Sequence, residues 1–297
     1  MTRELALDAI NASDNSENMT RAIVFLGKEG TVADISTLLP FAMSATANPE
    51  VKKYAVWAIC FLIKENMLNK FSELTADMRQ KLATIMHTLD PHVINDISAD
   101  LMLEDEERRL TALQVLGLLR FHPQVKEILT RLLQDHDSKI KATAVNLLGK
   151  VLGPDDLRIV IALLNDKDKR VRANTVEAIE SLGNKRLIPL LLKHRKDSNN
   201  RIRANVLKAL YSLGYTNIEK DLLDMLRSND DPPKASALWV ITQVNYNKSE
   251  NVGEAACACL QSLNKMVRDN AMAAMKIMAA AGVPRCDEYL GKYGLSV

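Results

Sequence analysis

The sequence predicts an all-α fold, an α-solenoid in which about eight helix pairs stack into an α-α superhelix. Basic residues recur at intervals of mostly 31, with single intervals of 32 and 34, and apolar residues follow helical spacing within each interval. Aromatic residues, which strands favour, make up only 4% of the sequence. A period of this length holds two helices of about twelve residues each and two short turns.

The basic residues fix the register of the repeat. Lys141 precedes Arg172 by 31 positions, and Arg203 follows Arg172 by the same interval. We treat these residues as markers, one in the second helix of each pair. The series in this region is Arg109, Lys141, Arg172, Arg203, Lys234 and Arg268.

The segment 168–183 shows how one period forms its second helix. Asp168 suits an N-cap because its side chain can accept a backbone N–H, and Gly183 suits a C-cap because glycine adopts left-handed backbone angles. Between them, Val171, Val176 and Ile179 recur on one helix face. One such pair cannot bury its apolar face alone, so stacked neighbours must supply a shared core.

We expect a single array over residues 1–297, regular in its second half. Before the regular repeats lies a stretch whose helix pairing the sequence does not assign, with Arg79 as the candidate marker of one further repeat. The parts distinguished by sequence are an N-terminal cap (1–18), irregular repeats (64–104), regular repeats (105–283) and a C-terminal cap (284–297).

The order of Asp, Val-Arg, small residues, Ala-Leu and Gly resembles the HEAT-like repeats of bacteria, of the type found in phycobilin-lyase-like proteins. The resemblance covers residues 105–283 well and 18–68 loosely. Asn174 and Asn205, two positions after their markers, are predicted to bond backbone groups between helices. The resemblance implies a structural ladder made of Asp137, Lys141, Asp168, Arg172, Arg203 and Arg268.

Composition narrows the class of protein. Basic residues number 39 and acidic residues 37, so the net charge of +2 predicts no strong attraction to nucleic acid or anionic membranes. No apolar run reaches the roughly 18 residues of a membrane span, and the charged start of the chain does not resemble a secretory signal. Four cysteines fit free thiols in a reducing cytoplasm, which is the expected location.

The sequence offers no constellation for catalysis. It lacks a Gly-rich phosphate loop, a nucleophile elbow and a His-Glu-x-x-His motif. None of the five histidines precedes a glutamate, so the resemblance to iron-binding HEAT hydroxylases fails. His87 and His92 flank Asp90, and we interpret them as surface residues rather than metal ligands. No catalytic residue, metal site or cofactor is therefore predicted.

One helix face is the candidate binding surface. In a solenoid the second helices line the concave side, and both tryptophans of the chain fall five positions after a marker, Trp57 after Lys52 and Trp239 after Lys234. The alternative is that each tryptophan only fills a gap beside a large neighbouring turn. The candidate protein-binding residues are Lys53, Trp57, Glu177, Glu180, Lys208, Tyr211 and Trp239.

Basic residues also cluster at the turns of the regular repeats. A solvated rim is the favoured interpretation, and a rim that binds phosphate or an acidic protein is the alternative. The residues of this basic rim are Lys169, Arg170, Lys193, Arg195, Lys196 and Arg201.

These observations predict a non-enzymatic scaffold or adaptor that binds a protein partner along the concave face. A DNA-interacting protein such as an alkylpurine glycosylase, which uses similar repeats, is the alternative, but mixed charge in the face columns does not favour nucleic acid. A bilin-lyase subunit is favoured least because the chain has few aromatic residues for a chromophore site.

Overall fold

The structure, a computed structural model, describes residues 1–12, 15–90, 93–120, 122–153 and 156–292. Within these residues the fold consists of α-helices joined by short turns and contains no strand, which confirms the all-α prediction. The helices are α1 (Arg3–Ala12), α2 (Ser16–Glu29), α3 (Ile35–Met43), α4 (Pro49–Asn69), α5 (Ala76–Leu89), α6 (Val93–Asp100), α7 (Glu106–Leu118), α8 (Pro123–Arg131), α9 (Ser138–Leu148), α10 (Leu157–Ile161), α11 (Lys169–Leu182), α12 (Ile188–Lys193), α13 (Asn200–Ser212), α14 (Glu219–Leu226), α15 (Asp231–Val244), α16 (Glu250–Ala258), α17 (Lys265–Ala280) and α18 (Cys286–Lys292).

The chain divides into two compact units, residues 1–144 and residues 145–297, with the boundary inside α9. In the second unit the helices alternate between two layers. Helices α11, α13, α15 and α17 contact one another in order, while α14 contacts α16 and α16 contacts α18. Across the layers, α12 packs on α13, α14 on α15, and α16 on α17. This stacking of helix pairs is the arrangement of an α-solenoid.

The two helices of each pair differ in length. The second helices α11, α13, α15 and α17 contain 13 to 16 residues. The first helices α10, α12, α14 and α16 contain 5 to 9 residues, fewer than the twelve or so expected. Part of the missing length is wound as tighter 3₁₀ turns at Ala162–Asn165, Lys185–Leu187 and Cys259–Gln261.

A two-step polar turn starts the second helices. The backbone N–H of Asp168 donates to Asp166 Oδ1 at 2.8 Å, and Asp168 Oδ1 accepts the N–H of Arg170 at 2.7 Å. The same arrangement recurs one period later, at Asp197 and Asn199. At the other end of α11, Gly183 adopts the left-handed backbone (φ 65°) that ends a helix. Asp168 and Gly183 therefore occupy the caps that their residue types favour.

The apolar face predicted for residues 168–183 is the buried one. Val171, Val176 and Ile179 are fully buried between the two layers, and Val160 of α10 is buried opposite them. Burying an aliphatic side chain of this size stabilises the fold by about 1.5–3 kcal/mol. The core of the second unit is therefore built from a few such residues contributed by every pair.

The first unit departs from the regular pattern in its middle. Helix α4 runs for 21 residues, contacts α2, α3 and α7, and is followed by an extra helix, α5, which contacts α4 and α7. Arg79 lies on α5, and only a 3₁₀ turn, Phe71–Glu73, stands where a first helix would precede it. Arg79 therefore does not mark a complete helix pair. In chain order the described helices form eight pairs, with α5 and α18 outside them.

The residues predicted as an N-terminal cap contain α1, which packs on α2. Arg3 Nε donates to the buried Asp34 Oδ2 at 3.0 Å and so connects α1 to the turn before α3. Residues 13–14 of this cap lie outside the described residues, and so do residues 293–297 of the predicted C-terminal cap. The two cap assignments stay predictions.

Candidate protein-binding surface

Three second helices of the second unit bring their predicted side chains together. Lys208 Nζ of α13 lies 3.0 Å from Glu180 Oε2 of α11 and 5.7 Å from the centre of the Trp239 ring on α15. Lys208 and Glu180 are partly buried, with side chains 24% and 18% exposed. Because an ammonium group is attracted both to a carboxylate and to an aromatic face, Lys208 connects Glu180 on α11 with Trp239 on α15.

Glu177 also contacts side chains of the neighbouring second helix. Its Oε1 accepts a hydrogen bond from Asn205 Nδ2 at 2.8 Å and lies 3.5 Å from Arg201 Nη2. Asn205 is buried, and the same amide nitrogen lies 3.5 Å from the carbonyl oxygen of Ala173. The carboxylate of Glu177 thus faces the surface with a fixed orientation rather than as a freely rotating charge.

A groove of about 400 Å³ runs beside Trp239. Its lining combines the apolar side chains of Trp239 and Met266 with the polar groups of Glu177 and Asn270. Asn270 Nδ2 donates to the carbonyl oxygen of Ala235 at 3.3 Å, which fixes α17 against α15. The groove is lined by Glu177, Arg201, Ala204, Asn205, Ala235, Ser236, Trp239, Met266 and Asn270.

Met266 is a lining residue that the sequence prediction missed. Its side chain is 63% exposed, and Leu263 in the turn before it is fully exposed. Met266 stands two positions before the marker Arg268, where two earlier regular repeats carry Arg170 and Arg201 before Arg172 and Arg203. The change from arginine to methionine at this position was the available signal.

Tyr211 lies outside this groove. Its ring meets the ring of Tyr246 edge-on at 5.9 Å between centres, and Lys248 Nζ lies 5.6 Å from the centre of the Tyr211 ring. Tyr246 is buried, and burial raises the pKa of its hydroxyl to about 12. Tyr211 is therefore held on α13 by neighbours other than those that hold Trp239.

In the first unit, Trp57 forms an aromatic pair that sequence analysis only half identified. Its ring stacks on that of Phe61, one helical turn further along α4, with centres 5.4 Å apart and planes inclined by 27°. Trp57 is 38% and Phe61 37% exposed. On α2, a Cβ placed on Gly27 would lie 2.8 Å from Trp57 Cζ3, so the absence of a side chain there makes room for the ring.

A groove of about 260 Å³ lies beside this aromatic pair. Lys53 is exposed at its edge, and Lys64 Nζ lies 3.1 Å from Asp100 Oδ2. Burial, followed by the charges of two nearby aspartates, raises the pKa of the Cys60 thiol to about 12. The lining residues are Lys53, Val56, Trp57, Cys60, Phe61, Lys64, Asp90, Val93 and Asp96.

Ion pairs connect the markers to the following repeat. Arg172 binds Asp197 through Nε–Oδ2 at 3.0 Å and Nη2–Oδ1 at 3.1 Å, and Arg109 pairs with Asp135 through Nη2 alone. In both pairs the carboxylate that meets the arginine stands two positions before the N-cap residue of a second helix, Asp135 before Asp137 and Asp197 before Asn199. Asp137 and Asp168, which the resemblance placed in the ladder, are N-cap residues instead. Arg268 donates instead to the carbonyl oxygens of its own turn, at 2.7 and 2.8 Å.

The arginines and the lysines of the predicted basic rim differ in their contacts. Arg170 lies 2.8 Å from Asp168, and Arg195 lies 3.1 Å from the buried Asp221. Arg201 faces Glu177, as described above. The lysines Lys169, Lys193 and Lys196 are exposed. The three arginines of the rim therefore lie near carboxylates of the second unit, although Arg170 and Arg201 are exposed as the lysines are.

The histidines and cysteines give no metal centre among the residues that the structure describes, because no three potential ligands converge there. His87 meets His122 edge-on with ring centres 5.6 Å apart, and His122 Nδ1 accepts the N–H of Gln124. His92 lies outside the described residues. Within the described chain, no helix is both long and apolar enough to cross a membrane.

The repeat geometry agrees with a comparison of sequences. Residues 100–173 and 157–242 match the family model for HEAT repeats. Together these matches cover residues 100–242, slightly less than half of the chain. The matched residues include the second helices α7, α9, α11 and α13. No curated protein matches the chain significantly.

Solved structures with similar HEAT solenoids include karyopherins. Kap121p bound to Pho4p is 15% identical and superposes with a TM-score of 0.53, covering 99% of this chain and 39% of that one. Kap95p, described with RanGDP, is 11% identical with a TM-score of 0.51, covering 98% of this chain and 46% of that one. This chain therefore spans less than half the length of either karyopherin, and at such identity the likeness shows the fold alone.

Proposed function

We propose that this protein is a scaffold or adaptor that binds a protein partner through the second-helix surfaces of its HEAT pairs, without catalysing a reaction. One observation carries the proposal: each unit presents a tryptophan beside a groove, held in position by its neighbours. Lys208 fixes Trp239, while Gly27 and Phe61 fix Trp57. Tryptophan supplies a large apolar contact area and is enriched among the residues that dominate binding energy.

Pre-positioning of the two rings supports this role energetically. A side chain that is already ordered loses little rotamer freedom when a partner binds, which saves about 0.5–1.5 kcal/mol for each such residue. The Lys208–Glu180 pair and the Asn205–Glu177 hydrogen bond order the surroundings of Trp239 before any partner arrives. The surface is therefore suited to recognition by a rigid face.

The similar karyopherin structures add general support. Kap121p is bound to Pho4p in one of them and to the SUMO protease Ulp1p in another, and both ligands are proteins. A HEAT array can thus serve as a binding surface for proteins, and this use of the fold is the one proposed for this chain.

We further propose that the repeats are of the bacterial, phycobilin-lyase-like type and that the protein is cytoplasmic. A DNA-interacting protein and a bilin-lyase subunit are the alternative functions. The acidic side chains at both grooves, Glu177 in one and Asp96 in the other, would repel a phosphate backbone. A nucleic-acid partner is therefore not favoured at these two surfaces.

The test compares capture of partners from the native cell by the wild type, Trp57→Ala and Trp239→Ala. Each variant should recover its partner at least about tenfold less well, since truncated hot spots cost about 2 kcal/mol or more. Leu103→Ala is the matched control, because Leu103 is apolar and 46% exposed but lines neither groove. Circular dichroism must show unchanged helicity in all three variants.

Site-specific crosslinking separates the surface from the rest of the molecule. A photoreactive residue in place of Met266 should crosslink to the partner, whereas the same residue in place of the exposed Asp224 should not. If both tryptophan variants capture partners as efficiently as the wild type, the assignment of these grooves is wrong.

A further inference from the structure

The turns before four successive second helices carry a side-chain acceptor at one fixed position. Asp135, Asp166 and Asp197 stand there in three of these turns, and each accepts the backbone N–H of the residue two positions later, at 2.8 to 2.9 Å. Ser228 stands at the same position of the fourth turn, where its Oγ accepts the N–H of Asp230 at 3.2 Å. The serine therefore keeps the hydrogen bond of the turn but carries no charge.

This position also faces the marker arginine of the preceding second helix. Arg172 Nε on α11 donates to Asp197 Oδ2, 25 positions further along the chain, at 3.0 Å. The interval from Arg203 to Ser228 is also 25, and α13 packs on α15 as α11 packs on α13. This equivalence assigns Ser228 to the position opposite Arg203.

Arg203 has no counter-charge. Its side chain is half-buried, and its Nε is fully buried without a hydrogen-bond partner. Among the residues that the structure describes, no ion pair or hydrogen bond holds its guanidinium. Leaving a buried donor without an acceptor is unfavourable, and more so when the donor is charged. What this repeat lacks is a negative charge at the position of Ser228.

We infer that Ser228 is a site of phosphorylation and that its phosphate is the counter-charge of Arg203. A phosphoserine carries a charge of about −1.5 to −2 at pH 7 and three acceptor oxygens. One oxygen can accept the N–H of Asp230, as Ser228 Oγ does without the phosphate. Another can accept from Arg203 Nε, as Asp197 Oδ2 accepts from Arg172 Nε. The inference goes beyond the proposed function and does not depend on it.

The turn is open to a modifying enzyme. Ser228 is half-buried, while Arg227, Asn229 and Asp230 around it are exposed. A protein kinase would bond Ser228 Oγ to the γ-phosphorus of ATP while the bond from that phosphorus to the β–γ bridging oxygen breaks. ADP leaves with the bond electrons, and the hydroxyl proton passes to the general base of the kinase.

Two acidic residues, Asp230 and Asp231, follow the serine and suit a kinase with a basic substrate groove. Asp230 is the N-cap residue of α15 but makes no capping hydrogen bond with its side chain. Pro232 and Pro233 explain this, because they have no N–H at the positions that an N-cap side chain would bond. Since Asp230 is exposed, solvent screens its repulsion of a phosphate, whereas the buried Nε of an arginine acts at short range.

The test compares the unmodified full-length protein with one that carries phosphoserine at position 228, inserted during translation. Phosphoserine should raise the midpoint of thermal unfolding by about 2–4 °C, and by less than about 1 °C in Arg203→Gln. The cycle of four proteins isolates the pairing even if Arg203→Gln itself changes stability. Arg227→Gln removes the exposed arginine beside the serine and is the control, which should keep the full gain.

Phosphorus NMR gives a second measure that does not depend on global stability. A guanidinium beside the phosphate favours its dianion, so the resonance should titrate at a lower pH than the value of about 6 that is typical of phosphoserine. In Arg203→Gln it should return towards that value. Inorganic phosphate added to the unmodified protein should raise the unfolding midpoints of wild type and Arg203→Gln equally.

Mass spectrometry of the protein from its native cell, purified with phosphatases inhibited, should find phosphate on Ser228. The absence of this phosphate, an equal gain in wild type and Arg203→Gln, or a gain that disappears in Arg227→Gln would each overturn the inference. A stabilisation by inorganic phosphate that requires Arg203 would also overturn it, because a free anion would then fill the position.

Discussion

Arg172 and Asp197 form a two-point ion pair that joins α11 to the turn before α13. Nε meets Oδ2 at 3.0 Å and Nη2 meets Oδ1 at 3.1 Å, with the side chains 16% and 10% exposed. Arg172 also donates to the carbonyl oxygen of Asp166 at 2.9 Å. One guanidinium therefore fastens two successive turns, which places it among the contacts that hold neighbouring helix pairs in register.

Loss of the carboxylate at this contact should destabilise the second unit. Asp197→Asn keeps a group that can accept the N–H of Asn199 but leaves Arg172 without its counter-charge. We expect a loss of about 2 kcal/mol in the free energy of unfolding, as is typical for hydrogen bonds to charged groups. Urea unfolding followed by circular dichroism measures it. Asp224→Asn, at an exposed carboxylate, should change stability far less, and equal effects would contradict the assignment.

The same series of carboxylates is interrupted at Ser228, and restoring it should stabilise the protein. Asp135, Asp166 and Asp197 follow one another at the interval of the markers, and Ser228 stands at the next position of this series. Arg203, the marker after Arg172, has a buried Nε without a hydrogen-bond partner among the described residues. Ser228→Asp should therefore supply the missing partner and add about 0.5–1 kcal/mol.

Ser228→Asn is the matched control for this change. Like Ser228 Oγ, its side chain can accept the N–H of Asp230, but it carries no charge. The aspartate variant should be more stable than the asparagine variant, and the difference should shrink in high salt. If the two variants unfold at the same urea concentration, an aspartate at position 228 does not pair with Arg203.

Acid should weaken the second unit through Asp197. Burial opposes ionisation of this carboxyl group, but hydrogen bonds from Arg172 and from the N–H of Asn199 outweigh it and hold the pKa below its ordinary value of 3.8. The folded state therefore releases this proton more readily than the unfolded state. The resulting stability is fully present well above pH 3.8 and is lost as the pH falls through the folded pKa.

A pH series of urea unfolding midpoints tests this, with Asp197→Asn as the comparison. The wild type should lose more stability than the variant between about pH 5 and about pH 3. Burial also lowers the pKa of His194 from 6.5, so its contribution to stability begins to be lost as the pH falls below about that value. Parallel midpoint curves for wild type and variant below about pH 5 would show that Asp197 does not carry the effect.

Gly27→Ala should displace the Trp57 ring. The added Cβ would lie 2.8 Å from Trp57 Cζ3 and 2.9 Å from Ala58 Cβ, closer than carbon atoms normally approach. Overpacking of this kind typically costs about 1–3 kcal/mol. In the Trp239→Phe background we expect lower stability together with a changed emission maximum of Trp57.

Gly149→Ala provides the matched control in the second unit. Its Cβ would lie 2.8 Å from Ala178 Cα, so it creates similar crowding without touching a tryptophan. It should lower stability and leave the emission of Trp57 unchanged. An unaltered emission maximum in Gly27→Ala would mean that the glycine does not position the ring.

The sequence predicted structure correctly at positions where a residue type has one structural use. Val171, Val176 and Ile179 predicted the buried face of α11, because only an apolar face can be buried between layers. The interval between markers predicted the helix pairs, and the order of Asp, Val-Arg, small residues, Ala-Leu and Gly within each period carried the resemblance to HEAT repeats. Both results depend on periodicity, which survives substitution at any single position.

The sequence was ambiguous where one residue type has two uses. Two aspartates that stand two positions apart, such as Asp166 and Asp168, are equally able to cap a helix or to bind an arginine. The structure shows that Asp168 is the one that caps the helix. The sequence did not assign α5 to a helix pair. No glycine or proline interrupts residues 50–69, so the sequence did not show where the long helix α4 ends and the extra helix follows. Phe61 was overlooked although it stands one helical turn from Trp57.

The ladder also determines which changes in chain length this fold can absorb. Arg109 and Arg172 each find their carboxylate further along the chain, in the turn before the next second helix, so donor and acceptor never come from the same copy of the motif. Duplicating the period that carries Arg172 and Asp197 would give each copy of the arginine its own aspartate, whereas excising the period that carries Asp197 would leave Arg172 facing Ser228. Inserting a single residue between an arginine and its aspartate would disturb that pair alone, because the pairs further along the chain keep their own spacing.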